Sequence, residues 1–235
     1  MILHPWLSRK CFLNFLNLII HTDMKQLFAT ALVVLSCVSA NVLAGPKTVI
    51  LGNTEKYKNE IRFVSDAPLE KINGTAQRVS GTFSIDIQNV AATTGTFTVP
   101  VRSMVTGSSS RDSHMYDTDW LDEENHKNII FNLKSIAVEK TDNSTAGRIV
   151  VTGTAKGEFS LRGVTKPMEA KVKITYLSES AQTRSVASGD LVLVNAEFSV
   201  PLKAHGVKGK GNIVGTKVGE SIAISAQLFG TAASH

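Results

Sequence analysis

Six segments of this chain alternate apolar and polar residues with period two. Phe83, Ile85 and Ile87 alternate with Thr82, Ser84 and Asp86, and Phe97, Val99 and Val101 with Thr98, Pro100 and Arg102. Ile129, Phe131 and Leu133 alternate with Ile130, Asn132 and Lys134, and Met168, Ala170, Val172 and Ile174 with Glu169, Lys171, Lys173 and Thr175. Ala196, Phe198, Val200 and Leu202 alternate with Glu197, Ser199, Pro201 and Lys203, and Ile222, Ile224, Ala226 and Leu228 with Ala223, Ser225 and Gln227. Successive side chains of a strand point to opposite faces, so each segment has one apolar and one wetter face. Further strands are expected near 61–65, 149–154, 158–162 and 188–194. Turn residues fall between them at Asn73-Gly74, Thr94-Gly95, Asp142-Asn143 and Ser188-Gly189-Asp190. Strands this numerous and this closely spaced make a sandwich or a barrel. The links are too short for helical crossovers, so neighbours run antiparallel. The fold class is all-β.

One stretch breaks the rhythm. Residues 110–127 are polar and acidic, with Met115 and Tyr116 about one helical turn before Trp120 and Leu121. Asp112 or Ser113 can cap a short helix or two here. The expected picture is a short helix over one end of a barrel with Trp120 as its plug.

The front of the chain is set apart from the fold. Met24-Lys25 opens a short basic region, an apolar run follows over 27–38, and Val42-Leu43-Ala44 suits a signal peptidase, with cleavage before Gly45. That run is short for a bilayer span. Residues 1–23 read as an upstream extension or a start codon assigned too early, 24–44 as a signal peptide and 45–235 as the β domain. A lipoprotein start at Cys37 is the less favoured alternative, because Leu35 is large for its place in such a site. The expected location is the periplasm. Both cysteines, Cys11 and Cys37, lie in this front segment, so the β domain has no disulfide and depends on its core. The 191 residues that remain of 235 are ample for one core. Their net charge is +3 of the chain's +5, since Arg9, Lys10 and Lys25 outnumber Asp23 in the front part. Basic residues are scattered, which leaves membrane-surface contact open and gives no support to nucleic-acid binding.

Catalytic signatures are lacking. Gly107-Ser108-Ser109-Ser110 is followed by Arg111 rather than by the Gly of a nucleophile elbow, and no His/Cys spacing suits zinc. The Gly206–Gly211 stretch lacks the Lys-Ser/Thr pair of a phosphate loop and reads as a flexible Gly/Lys loop. Asn73-Gly74-Thr75 and Asn143-Ser144-Thr145 match the glycosylation pattern and read as turns. Arg111, Asp112 and His114 are the best enzyme-like group. Their simpler role is a hydrogen-bonded rim that fixes the helix, with Asp residues favouring a helix N-terminus. No enzyme activity, metal or cofactor is expected.

The most specific block is 153–168, Gly-Thr-Ala-Lys-Gly-Glu-Phe-Ser-Leu-Arg-Gly-Val-Thr-Lys-Pro-Met. It reads as two strands joined at a turn. Phe159 and Leu161 share one face, Gly163 permits the reversal, and Pro167 opens the next strand, where a missing N–H is tolerated. This block is similar to Gly-x-Leu-Thr-Leu-His-Gly-Val-Thr-Lys-Pro-Val of the YceI-like family. Val79-Ser80-Gly81-Thr82-Phe83, Arg111-Asp112-Ser113-His114-Met115 and the segment from Leu121 to Phe131 resemble three further blocks of that family. Together they cover nearly all of 46–230. Arg162 stands at the family's usual His, Lys127 at a frequent Pro and His126 at a frequent aromatic. The segment 198–207 replaces one usually rich in Asp and Tyr.

The resemblance implies a lipocalin-like antiparallel β-barrel of about eight or more strands that binds polyisoprenoid-type lipids. The inward rows are light, with spaced Phe among Val, Ile, Ala and Thr, so a void for a long apolar chain is expected. The expected lining is Phe83, Ile85, Phe97, Val99, Phe131, Phe159, Leu161, Val172, Phe198 and Ile224. Arg111, His114 and Trp120 are the candidates for the mouth and rim. The expected function is an exported carrier or sequestrant of an isoprenoid lipid or quinone. The alternatives are an interaction protein with a filled barrel and, behind it, a lipid-modifying enzyme. Oligomeric state is left open, with a homodimer as one option.

Overall fold

The computed structural model describes residues 45–233, and the calls on 1–44 lie outside the described residues. The strands are β1 (Lys47–Leu51), β2 (Glu60–Asp66), β3 (Lys71–Ala76), β4 (Ser80–Ile85), β5 (Thr94–Pro100) and β6 (Met104–Val105). They continue with β7 (Asn128–Thr145), β8 (Arg148–Leu161), β9 (Val164–Leu177), β10 (Asp190–Pro201) and β11 (Ser221–Ala232). Two short helices interrupt them, α1 (Ser109–Tyr116) and α2 (Ala181–Arg184).

All pairings between these strands are antiparallel, and the sheet closes on itself. The ring runs β1-β4-β5-β7-β8-β9-β10-β11, and β11 returns to β1 through Val49 opposite Ala232 and Leu51 opposite Gly230. Of the two architectures the alternation allows, the chain adopts the barrel. The strands β2, β3 and β6 are an extension on the same edge of β11. The first half of β11 (Ile222 to Gln227) pairs with β2, the last residues with β1. Only Gln77 to Val79 separate β3 from β4, so two sequential strands build one column of the wall.

The inward rows are those the alternation marks: Phe83, Leu133, Phe159, Ala170, Val172, Ile174 and Val200 are all buried. The turn between β8 and β9 is Arg162-Gly163, both at positive φ (51° and 73°), and it stands at the mouth end. Pro167 lies inside β9, opposite Glu158, rather than at its start.

Several elements differ from the sequence reading. The segments expected at 149–154 and 158–162 are one strand, and 188–194 joins the 196–203 segment in β10. An unbroken ladder to β9 carries β8 through Lys156-Gly157, and β7 takes up the local irregularity as a bulge between Leu133 and Ser135 opposite these two residues. Asn73-Gly74 is not a turn but the middle of β3, because the Phe63 ring lies over Gly74, 2.1 Å from where a Cβ would be. Thr94-Gly95 opens β5, and Asp142-Asn143 lies within β7. The cap of α1 is Ser108, whose hydroxyl accepts from the Arg111 N–H, rather than Asp112 or Ser113. Only α1 lies over the mouth; α2 sits in the β9–β10 link at the opposite end.

That opposite end is tied by a cluster spanning the chain. Asp190, at the start of β10, accepts from Lys47 Nζ and from the Tyr176 hydroxyl, each at 2.5 Å, and from the Glu179 N–H at 2.8 Å. Burial and the neighbouring carboxylate push the Tyr176 phenol up to about 12. Burial pushes the Asp190 carboxyl upward, but the Lys47, Tyr176 and Glu179 hydrogen bonds outweigh it and hold it below its ordinary value. The bond to Asp190 in turn raises Lys47.

Candidate lipid-binding site

The lumen holds two hollows. The larger, about 580 Å³, lies at the mouth end. Its walls are apolar: Phe63 and Ile72 from the β2–β3 hairpin, Met104 from β6, Leu161 from β8, Val200 from β10, and Ile222 and Ile224 from β11. Its rim is polar, with Glu70, Arg111, His114, Asp117, Asp119, Lys210 and Lys217. The smaller, about 110 Å³, lies deeper among Phe83, Phe97, Phe131, Leu133, Val172 and Phe198. Here the spaced Phe residues meet across strands. Phe97 is paired with Phe131 and Phe131 with Phe159, and neighbouring ring centroids along Phe83–Phe97–Phe131 are 5.7 and 6.4 Å apart. Side chains fill most of the deeper half, so the expected void is concentrated at the mouth.

The mouth is built by α1 and the loops beside it. The Tyr116 hydroxyl donates to the Met104 carbonyl at 2.5 Å, and its ring lies under the Arg102 guanidinium, 4.8 Å from the centroid. Burial, with the Asp112 carboxylate adding, raises the Tyr116 phenol, so it stays a donor at neutral pH. One Asp112 carboxylate oxygen accepts from both the N–H and the hydroxyl of Thr106 at 2.7 Å. Arg111 donates to Glu70 at 2.9 Å and so joins the helix to the β2–β3 hairpin. Arg162, on the β8–β9 turn, donates to the carbonyls of Thr118 and Gly206 and fastens two more loops. Trp120 lies against Gly209, where an added Cβ would come within 2.6 Å of the indole, so that loop approaches only as glycine.

The residues singled out by sequence fall as follows. Leu161, Ile224, Arg111, His114 and Trp120 line the mouth hollow. Phe83, Phe97, Val99, Phe131, Val172 and Phe198 line the deeper one, and Phe159 lines both. Ile85 is corrected: it is 1 % exposed within the core and lines neither hollow, because β4 has by then reached the far end, where it pairs with Lys47. Arg111 and Asp112 make the expected rim bonds. His114 is exposed on the rim, and its imidazole makes no hydrogen bond or ion pair among the described residues, while its carbonyl accepts from the Asp117 N–H at the end of α1. Sequence reasoning missed Phe63, Ile72 and Met104. The signal for Ile72 was there, a short alternation of Ile72, Gly74 and Ala76 with Lys71, Asn73 and Thr75, obscured by the Asn-Gly pair. Among the described residues no three His, Cys, Asp or Glu side chains are placed to hold a metal ion.

The family profile described as the YceI-like domain matches residues 53–229. The chain belongs to the YceI-like family. A UPF0312 protein of Vibrio campbellii is 26% identical over 181 residues, covering 76% of this chain and 89% of that one. Among solved structures, BcnA of Burkholderia cenocepacia superposes with a TM-score of 0.56 at 16% identity, over 75% of this chain and 99% of that one. A polyisoprenoid binding domain from Saccharophagus degradans, implicated in plant cell wall breakdown, superposes with a TM-score of 0.53 at 12% identity, over 80% and 99%. At these identities the structural likeness establishes the shared YceI-like barrel.

Proposed function

We propose that this YceI-like barrel is an exported lipid-binding protein that holds the prenyl tail of an isoprenoid or quinone-type lipid in its lumen. The observation that carries this is the mouth hollow of about 580 Å³, apolar along its walls save for Ser65, whose hydroxyl accepts from the Gly219 N–H, and otherwise polar at its rim. A site of that size and division suits a ligand with a long apolar body and a small polar head. Membership of the YceI-like family and the fold shared with a polyisoprenoid binding domain support the same ligand class. The energetics are consistent. A micromolar complex needs about −8 kcal/mol, and with an association cost of about 8 kcal/mol this requires roughly twenty buried carbons at about 0.8 kcal/mol each. Affinity then comes from the tail, while Arg111, His114, Lys210 and Lys217 meet the head. The signal-like segment 24–44 supports export to the periplasm, and the net charge of +3 on 45–235 suits exchange at an anionic membrane surface.

The test is titration of the purified protein with decylubiquinone and with geranylgeraniol, followed by quenching of Trp120 fluorescence and by calorimetry. Saturable one-to-one binding is expected, with a negative heat-capacity change. Absence of binding to either probe would overturn the proposal.

A further inference from the structure

We infer that Phe159 is the partition that sets how long a tail the barrel accepts, an inference that rests on the lipid-binding reading above. Among the described residues the two hollows have only Ile129 and Phe159 in common in their linings. Phe159 stands between them, 6 % exposed, and is held from two sides. Phe198 meets it edge-on with centroids 5.8 Å apart and planes at 65°. His205 meets it at 5.6 Å and 81°, and is itself fixed, fully buried, with Nδ1 3.0 Å from the Val164 carbonyl to which it donates.

Below this ring the deeper hollow can receive only hydrocarbon. The sole side-chain hydroxyl among its described lining residues, on Thr93, is already donated to the Val90 carbonyl at 2.7 Å. A tail entering from the mouth therefore meets Phe159 as a wall, with about 110 Å³ of apolar space unused behind it. The ring must move, or be removed, before a longer tail gains from that space.

The experiment measures affinity along a series of prenyl alcohols with two, three, four and nine isoprene units, for the whole protein and for Phe159→Ala, Phe159→Leu and Phe159→Trp. For the unaltered protein, affinity should rise with length and then level off. Removing the ring should move that plateau to longer tails, with a gain of at least about tenfold for the four-unit alcohol, the value of about two further buried CH₂ groups. The two-unit alcohol should be unaffected, and Phe159→Trp should move the plateau to shorter tails. Phe159→Leu keeps the test available where truncation to Ala destabilises the barrel. Binding with an unmoved length limit in the folded variants would overturn this inference alone. Absence of binding at every length would overturn the lipid-binding reading and this inference with it.

Discussion

Replacing Ile224 by Trp separates a hollow barrel from a filled one. Ile224 lies on β11 opposite Phe63 of β2 and Phe198 of β10, is only half-buried, and lines the mouth hollow. The indole adds about six heavy atoms. In a close-packed core such an insertion costs about 1–3 kcal/mol through strained rotamers and backbone shifts. Here the added atoms have about 580 Å³ of unfilled space beside them. The variant should therefore unfold within about 1 kcal/mol of the parent, because new apolar contacts offset whatever adjustment occurs. The same atoms occupy room for about six tail carbons, worth roughly 5 kcal/mol at about 0.8 kcal/mol each. Geranylgeraniol affinity should fall by at least a hundredfold, with about three-thousandfold as the ceiling. Urea denaturation gives the first quantity and competition with an apolar fluorescent probe the second. A destabilisation of about 1–3 kcal/mol together with unchanged probe binding would refute the reasoning, since it would mean a solid interior and a ligand held elsewhere.

Asp190→Asn should cost about 3 kcal/mol in urea denaturation at pH 7, since it removes one partner of a largely buried ion pair and weakens the bond from Tyr176. Its pH dependence has a definite sign. The depressed Asp190 pKa makes that contribution present above about pH 3.8 and lost as pH falls through the folded value. The raised Lys47 and Tyr176 values make theirs present below about pH 10 and lost as pH rises, for Tyr176 through about 12. The parent should show a plateau between these edges that the Asn variant lowers, and an unchanged profile would contradict the assignment. Arg162→Ala frees the carbonyls of Thr118 and Gly206 and should speed hydrogen exchange in 117–127 and 202–207, with a stability loss of about 1–3 kcal/mol. Tyr116→Phe leaves the Met104 carbonyl without its donor and should cost about 1–3 kcal/mol while loosening α1. Exchange rates unchanged from the parent in either variant would count against these contacts as fasteners of the mouth.

What the sequence reveals of this barrel depends on how local each signal is. Phe97, Val99, Ile129, Phe131 and the rows of β9 to β11 face inward as their alternation requires, because a one-residue slip would turn every apolar side chain to water. The β8–β9 turn at Arg162-Gly163 was equally legible, being two adjacent residues with one geometric task. Features set by pairing with distant strands were not. Gly74 looks like a turn until Phe63, on the neighbouring strand, is known to lie across it. Lys47 and Asp190 are 143 residues apart and have no mutual signal in the chain. The placement of the void is of the same kind. Phe97, Phe131 and Phe159 come side by side only through the β5–β7–β8 register, and that row is why the deeper half is nearly full while the mouth stays open. At the mouth, Tyr116 and Asp112 were visible as part of an acidic helical stretch, but their partners Met104 and Thr106 lie in and just after a two-residue strand too short to show a period.

Native mass spectrometry of the protein isolated from the cell envelope tests the lipid-filled barrel most directly. The account predicts a population heavier than the bare chain by the mass of one prenyl lipid, converted to the bare mass by organic extraction and restored by adding the extract. A single bare mass before extraction, persisting after incubation with prenyl alcohols and quinones, would contradict it.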